Sequence, residues 1–578
     1  MSNLPVEIEA KVNQWLQGNY DENTKNALQA LVDQNDITTL TDAFYKDLEF
    51  GTGGLRGIMG IGSNRINQYT VGMATQGLAN YLLQSFPNED IKVAIAHDSR
   101  NQSDYFAQIT ANVFSANGIE VYFFESLRPT PELSFAIRYL GCKSGVVLTA
   151  SHNPKEYNGY KAYWNDGAQL IAPHDKNVIA EVQKIQVDEV KFDRDESKIH
   201  VVGKEVDEVY LDKVKSLSIS PQAIQNQADL KIVYTPIHGT GVVLVPEILK
   251  KMGFTNVEVL EAQATPDGNF PTVVYPNPEE AEAMSLALAK AKEIDADLVM
   301  ATDPDTDRVG IALKNHHNEW QLVNGNQTGA LLIHYLLEAH KKANQLKDSD
   351  YIVKTIVTTD LIESIAAKYG VECFNTLTGF KHIASVIRAL EGKRQFIGGG
   401  EESYGYLIGD FVRDKDAVAS CAMLAEMTAV AKNQGKTLFE QLMDIYLEYG
   451  FYLEDLVSVK KEGKAGAEAI QAMMEDFRQN PPQTLAGSKV VMVKDYQSQT
   501  ATNLQTGTTE KLDLPKSNVL QFLTEDGTKV SARPSGTEPK IKFYFGVKAE
   551  LAKLDDFDTV QAQLREKIDT LKKDLKLS

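Results

Sequence analysis

Short apolar segments alternate with segments of helical periodicity along most of the chain, and the alternation comes in sets of three. The apolar segments are residues 92–98, 119–124 and 145–148, then 230–234, 257–260 and 297–301, and finally 351–356, 371–374 and 395–397. Strands separated by helices predict mostly parallel sheets whose crossovers are right-handed. We therefore predict three similar α/β domains in series, with mixed but mostly parallel sheets.

The pattern differs at the two ends of the chain. Residues 6–48 have helical character, with apolar positions spaced for one face at Val6, Ile8, Val12, Trp15 and Leu16. After residue 455, glycines and prolines interrupt the repeat and predict a smaller α+β domain with strands at 518–523 and 541–547 and a helix at 549–577. The predicted division is a helical extension (1–41), three α/β domains (42–205, 206–325 and 326–455) and an α+β domain (456–578).

Composition limits the classes of partner. A chain of 578 residues is too long for one hydrophobic core, and its net charge of −20 argues against nucleic acid or a membrane surface as partner. The three cysteines lie far apart, which favours a reducing compartment over a disulfide framework. The N-terminus has no signal pattern, and no apolar run reaches the roughly 18 residues of a membrane span. We expect a cytoplasmic monomer or weak homodimer that acts on small molecules.

A different polar loop follows the third strand of each set. These loops are Thr149-Ala-Ser151-His152, Asp303-Pro-Asp305-Thr-Asp307-Arg308 and Gly400-Glu401-Glu402-Ser403. In open α/β sheets, ligands bind beyond the carboxyl ends of the strands. Three such loops facing one cleft would form a composite site, although a simple turn is an alternative for the serine loop alone.

The aspartate loop has the composition of a magnesium site. Asp303, Asp305 and Asp307 alternate along what we predict to be an extended backbone, which would place three carboxylates on one side. Like charges at close range are costly without a cation, and oxygen ligands suit Mg²⁺. Arg308 stands where a calcium-binding EF-hand loop needs glycine. The alternative is a solvated acidic turn.

The serine loop offers a nucleophile beside that metal. Mg²⁺ bound by three carboxylates completes its shell with water or phosphate, and Ser151 is the candidate to carry a phosphoryl group. Lys161, which we place in the same loop, is a donor or proton carrier, and His152 is a second candidate. Arg56 follows a glycine-rich turn and could donate two hydrogen bonds to phosphate.

Two later segments carry groups for a sugar phosphate. Lys381 and His382 follow a predicted strand and are candidates for the general acid or base. Glu401 and Ser403 match sugar hydroxyls. The segment around residues 533–537 combines a guanidinium, two hydroxyls and flexible backbone N–H groups that fit a phosphate monoester, at Arg533, Ser535, Gly536 and Thr537. A surface lysine and a hairpin turn are the structural alternatives for these segments.

These motifs, in this order, resemble the four signature loops of the α-D-phosphohexomutases. They are Thr149–Pro154 with Asn158–Lys161, Asp303–Arg308, Gly400–Ser403 and Arg533–Thr537. The resemblance implies a four-domain enzyme around a central cleft, with phosphoserine at Ser151 and one Mg²⁺ per chain on Ser151, Asp303, Asp305 and Asp307. It places Arg56, Lys161 and Arg308 near the transferring phosphoryl group. It implies that Glu401 and Ser403 bind the sugar and that Arg533, Ser535, Gly536 and Thr537 bind the other phosphate.

Two further segments indicate a branch of the family. Gly400–Gly405, followed by Arg413-Asp-Lys-Asp416, resembles the phosphoglucomutase branches. This implies interconversion of glucose 1-phosphate and glucose 6-phosphate, with glucose 1,6-bisphosphate as intermediate and activator. Other members carry histidine where Gly405 stands, so Lys381 is the better candidate for the acid or base. A phosphopentomutase, a phosphomannomutase, an aspartyl-phosphate phosphohydrolase and a non-catalytic sugar-phosphate sensor are the alternative hypotheses.

Overall fold

The computed structural model describes residues 4–51, 53–461, 463–535 and 540–577. These residues form two compact units. The first unit comprises residues 4–324, 384–391 and 403–435, and the second comprises residues 325–383, 392–402 and 436–577. Each unit is described separately below.

The first unit begins with three short helices, α1 (Val6–Gln17), α2 (Glu22–Asp33) and α3 (Ile37–Phe44). The side chain of Asp21 accepts a hydrogen bond from the Thr24 N–H at 2.9 Å and so caps α2. The predicted apolar face is correct at Ile8, Val12 and Trp15, which are buried. It is wrong at Val6, which is 82% exposed because it is the first residue of α1 and extends past the helices it would pack against.

A six-stranded sheet follows in the order β1-β5-β4-β2-β3-β6. Its strands are β1 (Gly54–Ile58), β2 (Lys92–His97), β3 (Glu120–Phe124), β4 (Ser144–Leu148), β5 (Tyr157–Trp164) and β6 (Ile199–Val202). Its helices are α4 (Gln68–Ser85), α5 (Ser103–Ala116), α6 (Thr130–Tyr139) and α7 (His174–Val182). The three predicted strands are confirmed as β2, β3 and β4, and they pair in parallel.

Lys161 lies on a strand and not in the serine loop, so its predicted placement is wrong. It occupies β5, where it pairs with Val147 of β4 on one side and with Gly54 of β1 on the other. Both pairings are antiparallel. Strand β5 therefore folds back along β4 directly after the loop that carries Ser151.

A five-stranded sheet in the first unit has the order β11-β10-β9-β7-β8. Its strands are β7 (Ile232–Thr235), β8 (Val257–Val259), β9 (Leu298–Thr302), β10 (Val309–Lys314) and β11 (Trp320–Val323). Its helices are α8 (Lys204–Lys215), α9 (Pro221–Asn226), α10 (Gly241–Met252), α11 (Glu261–Ala264) and α12 (Ala281–Ile294). The second set of predicted strands is confirmed as β7, β8 and β9, and β10 runs antiparallel to β9 after the aspartate loop.

The third set of strands lies in the second unit as β12 (Asp350–Thr355), β13 (Glu372–Thr376) and β14 (Gln395–Glu401), which pair in parallel with β12 in the middle. The same arrangement holds in all three sets: the first strand lies between the second and the third. This repeat confirms the three similar α/β folds. The second unit also contains α13 (Gly325–Lys342), α14 (Leu361–Tyr369) and α17 (Leu438–Tyr449). The first unit contains β15 (Gly405–Ile408) and α16 (Ala417–Asn433), and α15 (Phe380–Leu390) begins in the second unit and ends in the first.

The C-terminal part of the second unit is an antiparallel sheet with two long helices. Its path is β16-β23-β22-β21-β18-β19-β20, and β17 pairs with β18. The elements are β16 (Phe451–Lys460), α18 (Gly463–Gln479), β17 (Thr484–Leu485), β18 (Ser488–Asp495), β19 (Thr500–Asn503), β20 (Thr509–Lys511), β21 (Leu520–Thr524), β22 (Lys529–Pro534), β23 (Lys540–Ala549) and α19 (Phe557–Asp574). The final helix is shorter than predicted, because β23 extends to Ala549.

The charge of Glu426 inside the mostly apolar helix α16 is explained by the hydrogen bonds that its carboxylate accepts. Glu426 lies in α16 and is fully buried. Its carboxylate accepts hydrogen bonds from the main-chain N–H groups of Ile219 at 2.8 Å and Ser220 at 3.0 Å, and from the Ser218 hydroxyl. The Glu426 carboxylate therefore provides the hydrogen-bond acceptor for the segment just before α9. None of the helices in the described part of the chain combines the length and the apolar composition needed to cross a bilayer.

Replacing Glu426 by alanine should destabilise the first unit by about 1–3 kcal/mol, because two buried N–H groups lose their acceptor. Glu426→Gln keeps a carbonyl oxygen as acceptor and should cost less. Hydrogen exchange read by mass spectrometry should show faster exchange at Ile219 and Ser220 in the alanine variant. Equal exchange in the two variants would contradict the capping role.

Candidate active site

Ser151 occupies a strained position directly after β4. Its φ angle is +53°, in the left-handed region that costs a residue with a side chain about 1–2 kcal/mol. The residue is buried, and its main-chain N–H donates to the Thr149 hydroxyl at 2.8 Å. Its own hydroxyl donates to Asp303 Oδ2 at 2.9 Å. The backbone thus directs the serine oxygen at the first aspartate of the neighbouring loop.

Arg100 holds the serine loop in this conformation. The side chain is completely buried, and its guanidinium donates at 2.5–3.1 Å to four main-chain carbonyls of the loop, those of Ser151, Asn153, Pro154 and Tyr157. The buried carboxylate of Asp98 lies 3.3 Å from Arg100 Nε and supplies the opposite charge. A planar fork of donors can bind several carbonyls at once, which a lysine ammonium cannot match in geometry.

The aspartate loop is a turn, so the prediction of an extended backbone is wrong. Thr306 has a φ angle of +55°, and its N–H donates to the Asp303 carbonyl at 2.9 Å, which reverses the chain. The turn nevertheless brings a carboxylate oxygen of each aspartate within 4.8 Å of the others, and all three side chains are buried. The predicted cluster of carboxylates therefore forms, but through a turn and not through alternation along a strand.

Each aspartate is held by groups around it. Asp303 Oδ1 accepts from the N–H groups of Asp307 and Arg308 at 3.1 and 3.0 Å. Asp305 Oδ2 accepts from Lys161 Nζ at 2.6 Å and from the Thr130 hydroxyl at 2.9 Å.

Two cations flank the third aspartate. Asp307 Oδ2 lies 3.0 Å from Lys415 Nζ and 3.3 Å from Lys161 Nζ. Despite burial, the charges of Lys415, Lys161 and Arg308 hold the pKa of Asp307 below its ordinary value. This carboxylate is therefore ionised at neutral pH.

The remaining oxygens fit a divalent cation. Asp305 Oδ1 and Asp307 Oδ1 are buried, and neither accepts a hydrogen bond from the part of the chain that the structure describes. Burial and the charges of Asp305 and Asp307 raise the pKa of Asp303 well above its ordinary value. A hard cation bound among these oxygens would give Asp305 Oδ1 and Asp307 Oδ1 a partner and would offset the repulsion that raises the pKa of Asp303. Carboxylate oxygens are the ligands that Mg²⁺ takes in proteins.

Other predicted residues lie around the serine at different distances. Arg56 is exposed and donates to Asn153 Oδ1 at 3.5 Å. Arg308 pairs with Glu279 at 2.8 Å. The Nδ1 atom of His152 lies 3.2 Å from Ser151 Oγ, and burial together with the charges of Arg308 and Arg56 lowers the pKa of this imidazole well below its ordinary value. His152 is therefore neutral and serves as a hydrogen-bond partner of the serine.

The predicted sugar and phosphate residues are found mainly in the second unit. Glu401 ends β14, and its Oε1 accepts from the Gly379 N–H at 2.8 Å. Lys381 is half-buried in the first turn of α15. Burial, with the charges of Lys381 and Arg533, lowers the pKa of His382 to about 4, so this imidazole is also neutral.

The predicted phosphate-binding segment is described only in part. Arg533 lies on β22 and not in a loop, because the chain forms a strand from Lys529 to Pro534. Ser535 follows that strand, whereas Gly536 and Thr537 lie outside the described residues. Ser403 is half-buried and belongs to the first unit.

Sequence reasoning missed three residues of this site. Arg100 and Thr130 come from segments 51 and 175 positions away from the residues they contact, and no local pattern marks them. Lys415 stands in the Arg413–Asp416 motif, but no role was predicted for it. The alternating charges of this motif were the available signal.

Four family models match the chain in succession. They describe phosphoglucomutase/phosphomannomutase α/β/α domain I (residues 47–189), domain II (208–317), domain III (324–449) and the C-terminal domain (456–560). Together they cover most of the chain. Their order agrees with the three α/β repeats and the antiparallel C-terminal sheet.

Curated relatives and solved structures agree with these models. A protein named phosphoglucomutase from Staphylococcus haemolyticus is 37% identical over 92% of this chain and 95% of its own length, and one from Staphylococcus aureus is 38% identical over 92% and 94%. Among solved structures, a putative phosphomannomutase from Thermus thermophilus has a TM-score of 0.67 at 22% identity and covers 87% of this chain and 96% of its own. Parafusin, a phosphoglucomutase from Paramecium, has a TM-score of 0.69 at 19% identity and covers 90% and 94%. At these identities the two structures show the fold.

Asp305→Asn should weaken Mg²⁺ binding by at least about tenfold, because it removes one of three anionic ligands. The rise in melting temperature on adding Mg²⁺, and calorimetric titration of the metal, would measure this. Asp212→Asn is the control, since Asp212 is an exposed aspartate paired with Lys251. Equal Mg²⁺ affinity in wild type and Asp305→Asn would exclude a metal on this cluster.

Arg100→Lys should slow phosphoryl transfer to Ser151 by about tenfold or more, because an ammonium cannot bind the four loop carbonyls together. Mg²⁺ affinity should change by less than about threefold, since Arg100 contacts the loop backbone and not the aspartates. Arg65→Lys is a matched control, because Arg65 also donates to a main-chain carbonyl, that of Asp42, away from this loop. Unchanged phosphoryl transfer in Arg100→Lys would contradict the positioning role.

Proposed function

The chain belongs to the phosphoglucomutase/phosphomannomutase family, the α-D-phosphohexomutases, and we propose that it interconverts α-D-glucose 1-phosphate and glucose 6-phosphate. One observation carries the proposal: the buried Ser151 hydroxyl lies 2.9 Å from Asp303, beside three clustered carboxylates. The relatives named phosphoglucomutase, at 37–38% identity over nearly the whole chain, support glucose phosphate as substrate.

Ser151 is the residue that carries the phosphoryl group. The C6 hydroxyl of glucose 1-phosphate attacks the phosphorus of phospho-Ser151, the bond from phosphorus to Oγ breaks, and the electron pair stays on Oγ. The proton of that hydroxyl passes to a base, for which Lys381 is the candidate. Despite burial, the charges of Asp305 and Asp307 raise the pKa of Lys161, so Lys161 is a proton donor and a cation beside the phosphoryl group. Oγ takes up a proton, and the products of this half-reaction are glucose 1,6-bisphosphate and the Ser151 hydroxyl.

The second half-reaction restores the enzyme. The Ser151 hydroxyl gives its proton to a base and Oγ attacks the C1 phosphorus of the bisphosphate. The bond from that phosphorus to the C1 oxygen breaks, the C1 oxygen takes up a proton, and glucose 6-phosphate leaves as phospho-Ser151 forms again. The neutral His152 and the carboxylate of Asp303 both lie within hydrogen-bonding distance of Oγ and can orient it in this step. No phosphate is gained or lost over the cycle, and glucose 1,6-bisphosphate serves as intermediate and activator.

The charges around Ser151 suit this transfer. One Mg²⁺ per chain, held by Asp303, Asp305, Asp307 and a phosphoryl oxygen on Ser151, would supply positive charge beside the transferring group. The three carboxylates are balanced by three cations, Lys161, Lys415 and Arg308. Without phosphate and metal the cluster is near neutrality, and a dianionic phosphoryl group with a divalent cation keeps it there. Arg56 extends the positive surface toward solvent.

The remaining predicted residues complete the substrate site. We assign sugar hydroxyls to Glu401 and Ser403, because their carboxylate and hydroxyl offer acceptors and a donor. We assign the phosphate that is not transferred to Arg533 and Ser535, with Gly536 and Thr537. The proposed division is a helical extension (1–41) and four domains (42–205, 206–325, 326–455 and 456–578), and each domain carries one of the four predicted loops.

Ser151→Ala should lower mutase turnover by at least about a thousandfold, because the covalent acceptor is gone, while glucose 1-phosphate still binds. Turnover would be measured on glucose 1-phosphate and ribose 1-phosphate with Mg²⁺ and catalytic glucose 1,6-bisphosphate. Ser216→Ala, an exposed serine, is the control.

Wild type should prefer glucose 1-phosphate in kcat/KM. A preference for ribose 1-phosphate would assign the chain to a pentose substrate with the same chemistry. Substantial turnover in Ser151→Ala would exclude the covalent mechanism.

A further inference from the structure

Residues 355–358 of the second unit, hereafter the linking loop, begin at the last residue of β12 and lead toward α14. Thr355 and Thr358 are buried, and their hydroxyls are 2.8 Å apart. Both hydroxyls contact the same atom, Glu402 Oε2, at 3.1 and 3.0 Å. The linking loop therefore has one polar edge that is bound to the segment carrying Glu401.

Two consecutive glutamates bind two different parts of the unit. Glu401 accepts from the Gly379 N–H at 2.8 Å, whereas Glu402 is bound by the threonine hydroxyls of the linking loop. Glu401 is the last residue of β14, and Glu402 lies in the turn that follows it. The Glu402 carboxylate is thus engaged by the protein, and its contacts determine where the backbone carries Glu401.

The other edge of the linking loop is bound by Gln521 of β21. Gln521 is buried, and its Nε2 donates to the Ile356 carbonyl and to the Ser531 hydroxyl, each at 2.9 Å. Its Oε1 accepts from the Tyr496 hydroxyl at 2.7 Å. Both amide protons and the carbonyl are therefore engaged, so the side chain has one defined orientation.

Ser531 connects Gln521 to the proposed phosphate-binding strand. It lies on β22 directly opposite Gln521 in the strand register, and Arg533 is two residues further along the same face. Tyr544 of β23 pairs with Ser531 from the other side. Burial, together with the charges of Glu402 and Glu401, raises the pKa of Tyr544, whereas the charge of Arg533 lowers it.

We infer that the linking loop couples sugar recognition by Glu401 to phosphate recognition by Arg533, with Glu402 and Gln521 as its positioning residues. The inference rests on the proposed function, which assigns the sugar to Glu401 and the phosphate to Arg533. The linking loop contacts both groups of residues. One edge binds Glu402, which is next to Glu401, and the other edge binds Gln521 of β21, the strand that pairs with β22 and its Arg533.

The consequence is cooperative recognition of a sugar phosphate. A ligand group that orders Glu401 also orders Glu402 and the linking loop, and through Gln521 it orders β22. By linkage the effect is reciprocal, so a phosphate on Arg533 favours the sugar-binding position of Glu401 to the same degree. A substrate that carries both groups is therefore bound more tightly than the separate contributions predict.

A double-mutant cycle tests this coupling. Glu401→Gln and Arg533→Met are made singly and together, and KM and kcat for glucose 1-phosphate are measured with Mg²⁺ and glucose 1,6-bisphosphate. In the wild-type background the double variant should raise KM by about three- to tenfold less than the product of the single effects, because either loss already loosens both sites. Changes in kcat should be smaller than changes in KM, since Glu401 and Arg533 are assigned to the sugar and to the phosphate that is not transferred.

The cycle is then repeated in two backgrounds that break the linking loop at opposite edges. Gln521→Leu removes both amide donors, and Glu402→Met removes the acceptor at nearly constant length. In each background the two single effects should multiply to within about twofold. Glu402→Gln keeps a carbonyl acceptor and should retain the coupling. Gln327→Leu, which removes an amide bound to Tyr446 elsewhere in the unit, should also retain it.

The outcomes separate the coupling from the function. If Glu401→Gln and Arg533→Met each raise KM and the effects multiply in the wild-type background, the coupling is wrong and the assigned roles stand. If the non-additivity persists in both Gln521→Leu and Glu402→Met, the linking loop is not its route. If neither single change alters KM, the proposed function of these residues fails first.

Discussion

Three buried carboxylates within 4.8 Å of one another are the constraint on which the rest of the first unit depends. Such a cluster is unfavourable by itself, because burial and mutual repulsion both oppose ionisation. Three cationic side chains beside the carboxylates offset this cost. Lys161 approaches from β5, Lys415 from the segment before α16, and Arg308 from the turn itself. These cations come from different parts of the chain, so the charge balance of the cluster depends on the folding of all three parts.

The serine loop depends on the same balance. The Ser151 hydroxyl donates to Asp303. The Arg100 guanidinium binds the carbonyls of the loop backbone, and the Asp98 carboxylate balances its charge. The loop keeps a left-handed residue that a free chain would avoid. The Ser151 hydroxyl is therefore positioned by buried charges and by main-chain hydrogen bonds. This explains why a conservative change of Arg100 is expected to affect transfer more than metal binding.

The strands were predictable from sequence because each repeat has short apolar segments followed by polar turn residues. The cluster of Asp303, Asp305 and Asp307 was predictable for the same reason, since its members are close in sequence. The turn of the aspartate loop was not predictable, because the residue types do not indicate the positive φ angle of Thr306. Lys161 was misplaced because Asn158 and Gly159 resemble a loop, although they lie on β5 and pair with β1. Arg100 and Thr130 could not be found, because their contacts join distant segments and leave no local pattern.

The strands on either side of the serine loop have a mechanical consequence. The loop leaves β4 and returns at once along β5, which is itself paired on both sides, so its two ends are anchored in one sheet. A connection held in this way cannot swing through the several ångströms that separate the two ends of a hexose. The point of phosphoryl exchange is stationary. The proposed isomerisation then requires the sugar bisphosphate to rotate end over end between the two transfers, while the enzyme's acceptor oxygen stays where the sheet holds it.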